Sequence, residues 1–143
     1  MLAKWFRLRM INQTGQTMTY ADGARIAIRL SLWKIVAGAK VDRAIITENL
    51  GFGAGTIVDD GEVEGTAFDN TAEFQWGGHG TFETTHDLAT GDGVCNLYLE
   101  FSDSDGNWPS DTDEFKIEDL IKIAVLPIDP DAVDESRSVN FEI

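Results

Sequence analysis

Any chemistry in this chain would come from a few small groups of residues. The first is the acidic segment Ser102-Asp-Ser-Asp-Gly-Asn-Trp-Pro-Ser-Asp-Thr-Asp113. Asp103, Asp105, Asp111 and Asp113 carry the hard oxygen donors that calcium takes. An EF-hand needs its glycine after the third oxygen-bearing position and a bidentate Glu half a loop further on. Here Gly106 precedes Asn107, and that spacing is broken. Asp105-Gly106 directly after a strand is instead a signal for a tight hairpin turn. Such a turn would fold Trp108 back onto the sheet and let Pro109 end the pairing, with no obligatory metal. His79, Glu83 and His86 are also close in sequence. On a strand Glu83 shares a face with His79 but not with His86, and zinc wants three or four convergent ligands. Gly51-Phe-Gly-Ala-Gly55 lacks the Lys-Ser/Thr of a P-loop and does not fit a strand–glycine loop–helix unit, so it reads as a turn. Cys95, the sole cysteine, lies in an apolar-rich run and reads as a buried, inert thiol. Paired carboxylates for glycoside hydrolysis are selected by no second feature. The expectation is no enzyme, no cofactor and no metal.

Aromatic and cationic residues suggest contact rather than catalysis. Trp5 and Trp33 fall on the faces opposite the apolar stripes of their segments, beside Arg7 and near Arg29. Exposed aromatics next to arginine are what interface centres favour, and a guanidinium can stack on them. With Arg9 and Arg25 they form the expected interface set: Trp5, Arg7, Arg9, Arg25, Arg29 and Trp33. Trp76 and Trp108 border turns. Together with His79, Asp103 and Asp105 they make an alternative ligand-binding set, a sugar-stacking platform.

The elements that would position these residues follow a period of two. Phe6, Leu8 and Met10 alternate with Trp5, Arg7 and Arg9, a strand with one apolar and one mixed face. Asn12 to Gly23 reads as a long turn or loop. Ile26, Ile28, Leu30 and Leu32 alternate with Arg25, Ala27, Arg29 and Ser31. A helix over 24–36 is the rival there, because Ile28, Leu32 and Ile35 also fit helical spacing. A weak strand is expected around 44–47, and Gly61 and Gly65 punctuate 56–68. Glu73–Trp76 and Thr81–Thr85 flank Gly77-Gly78-His79-Gly80, which reads as a hairpin with a glycine loop. Along 94–101, Cys95, Leu97, Leu99 and Phe101 point one way, and Val94, Asn96, Tyr98 and Glu100 the other. Residues 117–126 follow, with a first half that could be helical. Pro127 and Pro130 mark a loop, and Val139, Phe141 and Ile143 alternate to the end. The expected fold is all-β: an antiparallel β-sandwich or jelly-roll-like single domain over 1–143 with little helix, and with 1–11 as a basic N-terminal strand or arm.

Charge is sorted along the chain. Residues 1–43 sum to +6 and residues 44–143 to −20, giving the net −14. The acidity argues against nucleic acid as a partner, because phosphate contacts need clustered cations. At 43% hydrophobic and 25% charged the composition is that of a folded globular chain. No window approaches the roughly 18 apolar residues of a membrane span, and the first ten residues lack the apolar stretch of a secretory signal. The expectation is therefore no membrane partner and synthesis in a host cytoplasm.

The run Asn96-Leu-Tyr-Leu-Glu-Phe-Ser-Asp-Ser-Asp-Gly-Asn-Trp-Pro-Ser-Asp111, with Ser136-Arg-Ser-Val-Asn-Phe-Glu-Ile143 at the end, resembles small virion structural proteins of tailed bacteriophages. The resemblance spans about the last 50 residues. It implies a β-rich, non-enzymatic protein carried in many copies on a capsid or tail. A capsid decoration (cement) protein is the expected function, located in the virion, homo-oligomeric, and bound to the major capsid or other virion proteins. Copies held on one lattice would bind through repeated modest contacts at high effective concentration. The alternative is a carbohydrate-binding or receptor-recognition module of a tail apparatus. In the first reading the basic strand meets an acidic neighbour, and Arg7→Glu with Arg9→Glu would weaken that contact while sparing the fold. An apolar patch around Trp33 is the fallback contact.

Overall fold

The period-two alternation becomes strands throughout the computed structural model, which describes residues 2–20, 26–51, 55–85, 93–102, 107–109, 120–128 and 136–143. The strands are β1 (Trp5–Gln13), β2 (Met18–Tyr20), β3 (Ile26–Val36), β4 (Ala39–Asp42), β5 (Ile46–Gly51) and β6 (Gly55–Ile57). After these come β7 (Glu62–Glu64), β8 (Phe68–Asp69), β9 (Gly77–Thr85), β10 (Val94–Ser102), β11 (Ile121–Pro127) and β12 (Ser136–Glu142). One sheet runs β11-β10-β1-β7, with β8 also on β1. The second runs β12-β9-β3-β4, with β5 also on β3, and β2 pairs β6 in a separate ribbon. Every pairing is antiparallel. The two five-stranded sheets pack face to face as an all-β sandwich.

One side of each central strand supplies the core. Phe6, Leu8 and Met10 of β1 meet Ile26, Ile28, Leu30 and Leu32 of β3, joined by Phe82, Leu97, Leu99 and Phe141. Cys95 is in the same cluster. Its thiol lies 3.5 Å from Met18 Sδ, and burial pushes its pKa up to about 12, so it stays protonated and unreactive. The helix considered for 24–36 gives way to β3, which is flanked by β9 on one side and by β4 and β5 on the other. A helix there would leave the edges of β9 and β5 without partners.

Three segments depart from the sequence-based expectation. The stretch 12–23 was read as loop, yet β1 continues to Gln13 and Met18–Tyr20 forms β2, with Met18 buried in the core. Asn12 holds the turn between them: its Nδ2 donates to the carbonyls of Gln16, Ile57 and Val58 at 2.8, 2.9 and 3.0 Å. Residues 77–80 were read as a glycine loop but belong to a continuous central strand, β9. Glycine serves there for close approach rather than turning, since a Cβ on Gly80 would collide with the Arg29 backbone carbonyl and stand 2.8 Å from Cζ of Phe141. Pro127 ends β11 instead of opening a loop, which an edge strand tolerates. The expected turn at Asp105-Gly106 and the candidates Arg25, Asp103 and Asp105 lie outside the described residues.

Gly80→Ala is expected to cost about 1–3 kcal/mol of stability through overpacking against Phe141. His79→Ala on the adjacent, solvent-facing position should change it by no more than about 0.5 kcal/mol. Urea denaturation of the two variants checks the contrast.

Candidate functional site

The outer side of β1 carries Trp5, Arg7 and Arg9, and the register of its neighbours decides what they meet. β10 sets Glu100 directly opposite Arg7, and β7 sets Glu64 opposite Arg9. Arg7 donates through Nε to Glu100 at 2.6 Å and through Nη1 to Glu64 at 2.8 Å. Arg9 donates to Glu62 at 2.6 Å and also to Glu64, with Glu100 3.8 Å away. Trp108 closes over the Arg7 guanidinium at 4.4 Å and is itself buried. It does fold back onto the sheet, as its place after the aspartates implied.

This corrects the interface expectation for Arg7 and Arg9. The basic strand meets an acidic surface, but the surface belongs to its own chain. Arg7 retains 6% of its accessible area and Arg9 none, so neither offers a charge to a neighbour. Trp108 is likewise withdrawn as a sugar-stacking face, because that face is occupied by Arg7. Trp5 is half-buried at the start of β1, and Arg29 is exposed on the outer face of the second sheet.

A different surface emerges where β3 outruns the sandwich. β3 and β9 pair as far as Trp33 and Gly77, after which β3 continues to Val36 with β4 alone. Ala37 and Gly38, at φ 49° and 83°, make the two-residue turn, the conformation of a type I′ hairpin. Residues 35–42 are all exposed. Val36 and Val41 continue the inner side of β3 past the end of the core, and Ile35 lies on the other face. These three are 42–47% exposed, and Ile45 just beyond reaches 70%.

The turn at 70–76 braces the root of this hairpin. Lys34 Nζ donates to Glu73 at 2.9 Å, and the Trp76 amide donates to the Trp33 carbonyl at 2.8 Å. Lys34, then Arg43, hold the Glu73 carboxyl below its usual range. That contribution is present above the ordinary carboxylate pKa and fades as pH falls through the lowered value. Asn70 ties the turn to the N-terminal segment, donating to Leu2, Ala3 and Gln75 carbonyls and accepting from the Gln75 amide. Phe74 (φ 50°) and Trp76 are left exposed on this turn, and the half-buried Trp33 ring lies 5.3 Å from Lys40 Nζ.

An apolar collar ringed by Lys34, Lys40 and Arg43 results. It brings together Trp33 and Trp76, which sequence reasoning had assigned to separate sites. It also includes Ile35, Val36, Val41 and Phe74, which that reasoning missed. The available signal was alternation on both sides of Ala37-Gly38, a weaker turn dipeptide than Asn-Gly.

His79 belongs elsewhere. It lines an open depression of about 970 Å³ on the outer face of the second sheet, with Arg29, Ser31, Thr81, Asn140 and Glu142. Trp108 sits on the outer face of the first sheet, on the far side of the sandwich, so the alternative ligand-binding set does not converge. Among the described residues no group of three His, Cys, Asp or Glu is placed to hold a metal ion. No protein-family model, curated protein or solved structure matches the chain. The class defined is that of an all-β sandwich protein, and its function rests on the surfaces described above.

Arg9→Met removes the guanidinium shared by Glu62 and Glu64 and is expected to cost about 1–3 kcal/mol, since the carboxylates left behind stay partly in water. Lys4→Met, at an exposed side chain, should cost no more than about 0.5 kcal/mol. The Arg7→Glu, Arg9→Glu change, expected from sequence to spare the fold, is now expected to abolish it. Thermal melts followed by circular dichroism test all three.

Proposed function

We propose that this chain is a non-enzymatic virion structural protein of the decoration or cement type, docking on a protein shell through the collar at the hairpin root. The observation that carries this reading is that the 70–76 turn, with its exposed Phe74 and Trp76, is tied to Trp33 and Lys34 at the root of the hairpin. Exposed aromatic residues rimmed by charge are the composition of an interface centre. The bracing contacts of Lys34–Glu73 and Trp76–Trp33 hold the patch in one shape, which limits the entropy lost on docking. The resemblance of 96–111 and 136–143 to small phage virion proteins supplies the kind of partner. A shell lattice would supply the effective concentration that makes a patch of this size sufficient. The carbohydrate reading is weaker, since its aromatic residues face different directions.

Co-sedimentation with heads of the phage whose genome carries this chain, prepared without the protein, is the test. Wild-type protein should pellet with the heads, and Phe74→Ser with Trp76→Ser should bind at least about tenfold more weakly at unchanged melting temperature. Binding to glycans but not to heads would replace this reading with the receptor-recognition one.

A further inference from the structure

The free edge of the hairpin is its own complement. Among the described residues, β4 (Ala39–Asp42) lies at the end of its sheet and pairs with β3 on one side only. Val36 and Ala39 flank the two-residue turn and so form its hydrogen-bonded pair. Pairs alternate from there, so Ala39 and Val41 direct their backbone groups toward β3. The N–H and C=O of Lys40 and Asp42 therefore point to the open side.

We propose that β4 is the interface of a two-fold symmetric dimer, in which the β4 strands of two copies pair antiparallel about Val41. In that register Val41 faces Val41 of the second copy as the close, non-hydrogen-bonded pair. Lys40 falls opposite Asp42 of the second copy, and Asp42 opposite its Lys40, each pair exchanging two backbone hydrogen bonds. The sequence Lys40-Val41-Asp42 reversed against itself thus matches opposite charges and sets valine on valine. Lys40 and Asp42 already lie 3.5 Å apart within one strand, so the pairing builds a four-charge row of alternating sign. Val36 and Val41 of both copies line one side of the extended sheet, and the register carries the partner's turn alongside Ile45.

A second copy fits this edge better than an unrelated strand for a further reason. Two chains of net charge −14 repel over most of their surface. Around the hairpin, Lys34, Lys40 and Arg43 outnumber Asp42 and Glu73, so the approach of two copies is least opposed there. Charged residues on an edge ordinarily block strand addition; here the block is cancelled by the reversed copy. The pairing is a property of the free chain and does not depend on docking to a shell. A failed dimer leaves the Phe74 and Trp76 test standing, and the reverse also holds.

Sedimentation equilibrium on charge-swapped chains tests the register. Wild-type protein should run at twice the 15.7 kDa chain mass at about 100 µM. Lys40→Asp and Asp42→Lys, both at exposed positions, should each dissociate at least about tenfold more readily, with unchanged melting temperature. An equimolar mixture of these two should recover the dimer, because each supplies the charges the other lacks. The double swap should dimerise with itself but not with wild type. A monomeric wild type, single variants that dimerise as wild type does, or a mixture that stays monomeric would each overturn the proposal.

Discussion

Two buried guanidiniums on β1, one of them covered by Trp108, set the terms for the rest of the structure. Stripping water from Arg7 and Arg9 is costly and is offset only where carboxylates stand at hydrogen-bond distance. That requirement selects the neighbours of β1. Glu100 must face Arg7 from one side and Glu62 and Glu64 must reach over from the other. A slip of one residue in either pairing would turn Leu99 or Val63 toward the guanidiniums and drive a carboxylate into the core. The ion pairs and the apolar face of β1 therefore enforce the same register from opposite sides of the strand. Glu62 and Glu64 remain 45% and 40% exposed along their side chains, which keeps part of the network in contact with water.

With β1 satisfied on both faces, the exposed apolar side chains of the first sheet are those of its edge strand, Ile121 and Val125 of β11. Arg7 and Arg9 are consumed inside the molecule, while Lys4 before β1 and Arg29, Lys34, Lys40 and Arg43 on β3, its hairpin and just beyond remain at the surface. This redistribution matters for function. A chain of net charge −14 gathers Lys34, Lys40 and Arg43 with the exposed Phe74 and Trp76 around the hairpin root. Recognition by shape and local charge is the kind of work such an end can do. The core beneath it is correspondingly inert, with its one thiol held protonated against Met18.

Rigidity at that end comes from a few polar clips rather than from extra core. Asn70 gathers the distant carbonyls of Leu2 and Ala3 together with the carbonyl and amide of nearby Gln75, and Glu73 reaches Lys34 across the hairpin root. Exposed ion pairs contribute little to global stability. Their effect here is local: they hold the turn of Phe74 and Trp76 to the hairpin root in one arrangement. The hairpin itself needs no such support, since the Ala37-Gly38 turn matches the twist of its strands.

How much of this was legible in advance depends on the range of the information. Alternation at Phe6–Met10, at Ile26–Leu32 and at Cys95–Phe101 sufficed to assign strands, inward faces and an all-β sandwich, because side-chain direction in a strand is a local property with a period of two. Burial of Cys95 and the return of Trp108 to the sheet were legible for the same reason. Sequence alone could not say that Arg7 and Arg9 face inward acids. Their partners are 53 to 93 residues away, and only sheet order brings them alongside. Residues 77–80 look like a turn until Phe141 and Trp33 are packed against them, and Trp33 and Trp76 become one surface only once β3 outruns β9. Local chemistry thus determined the strands and their two faces, while tertiary structure decided which face stayed open, because closing a face requires residues that meet only after the chain has folded.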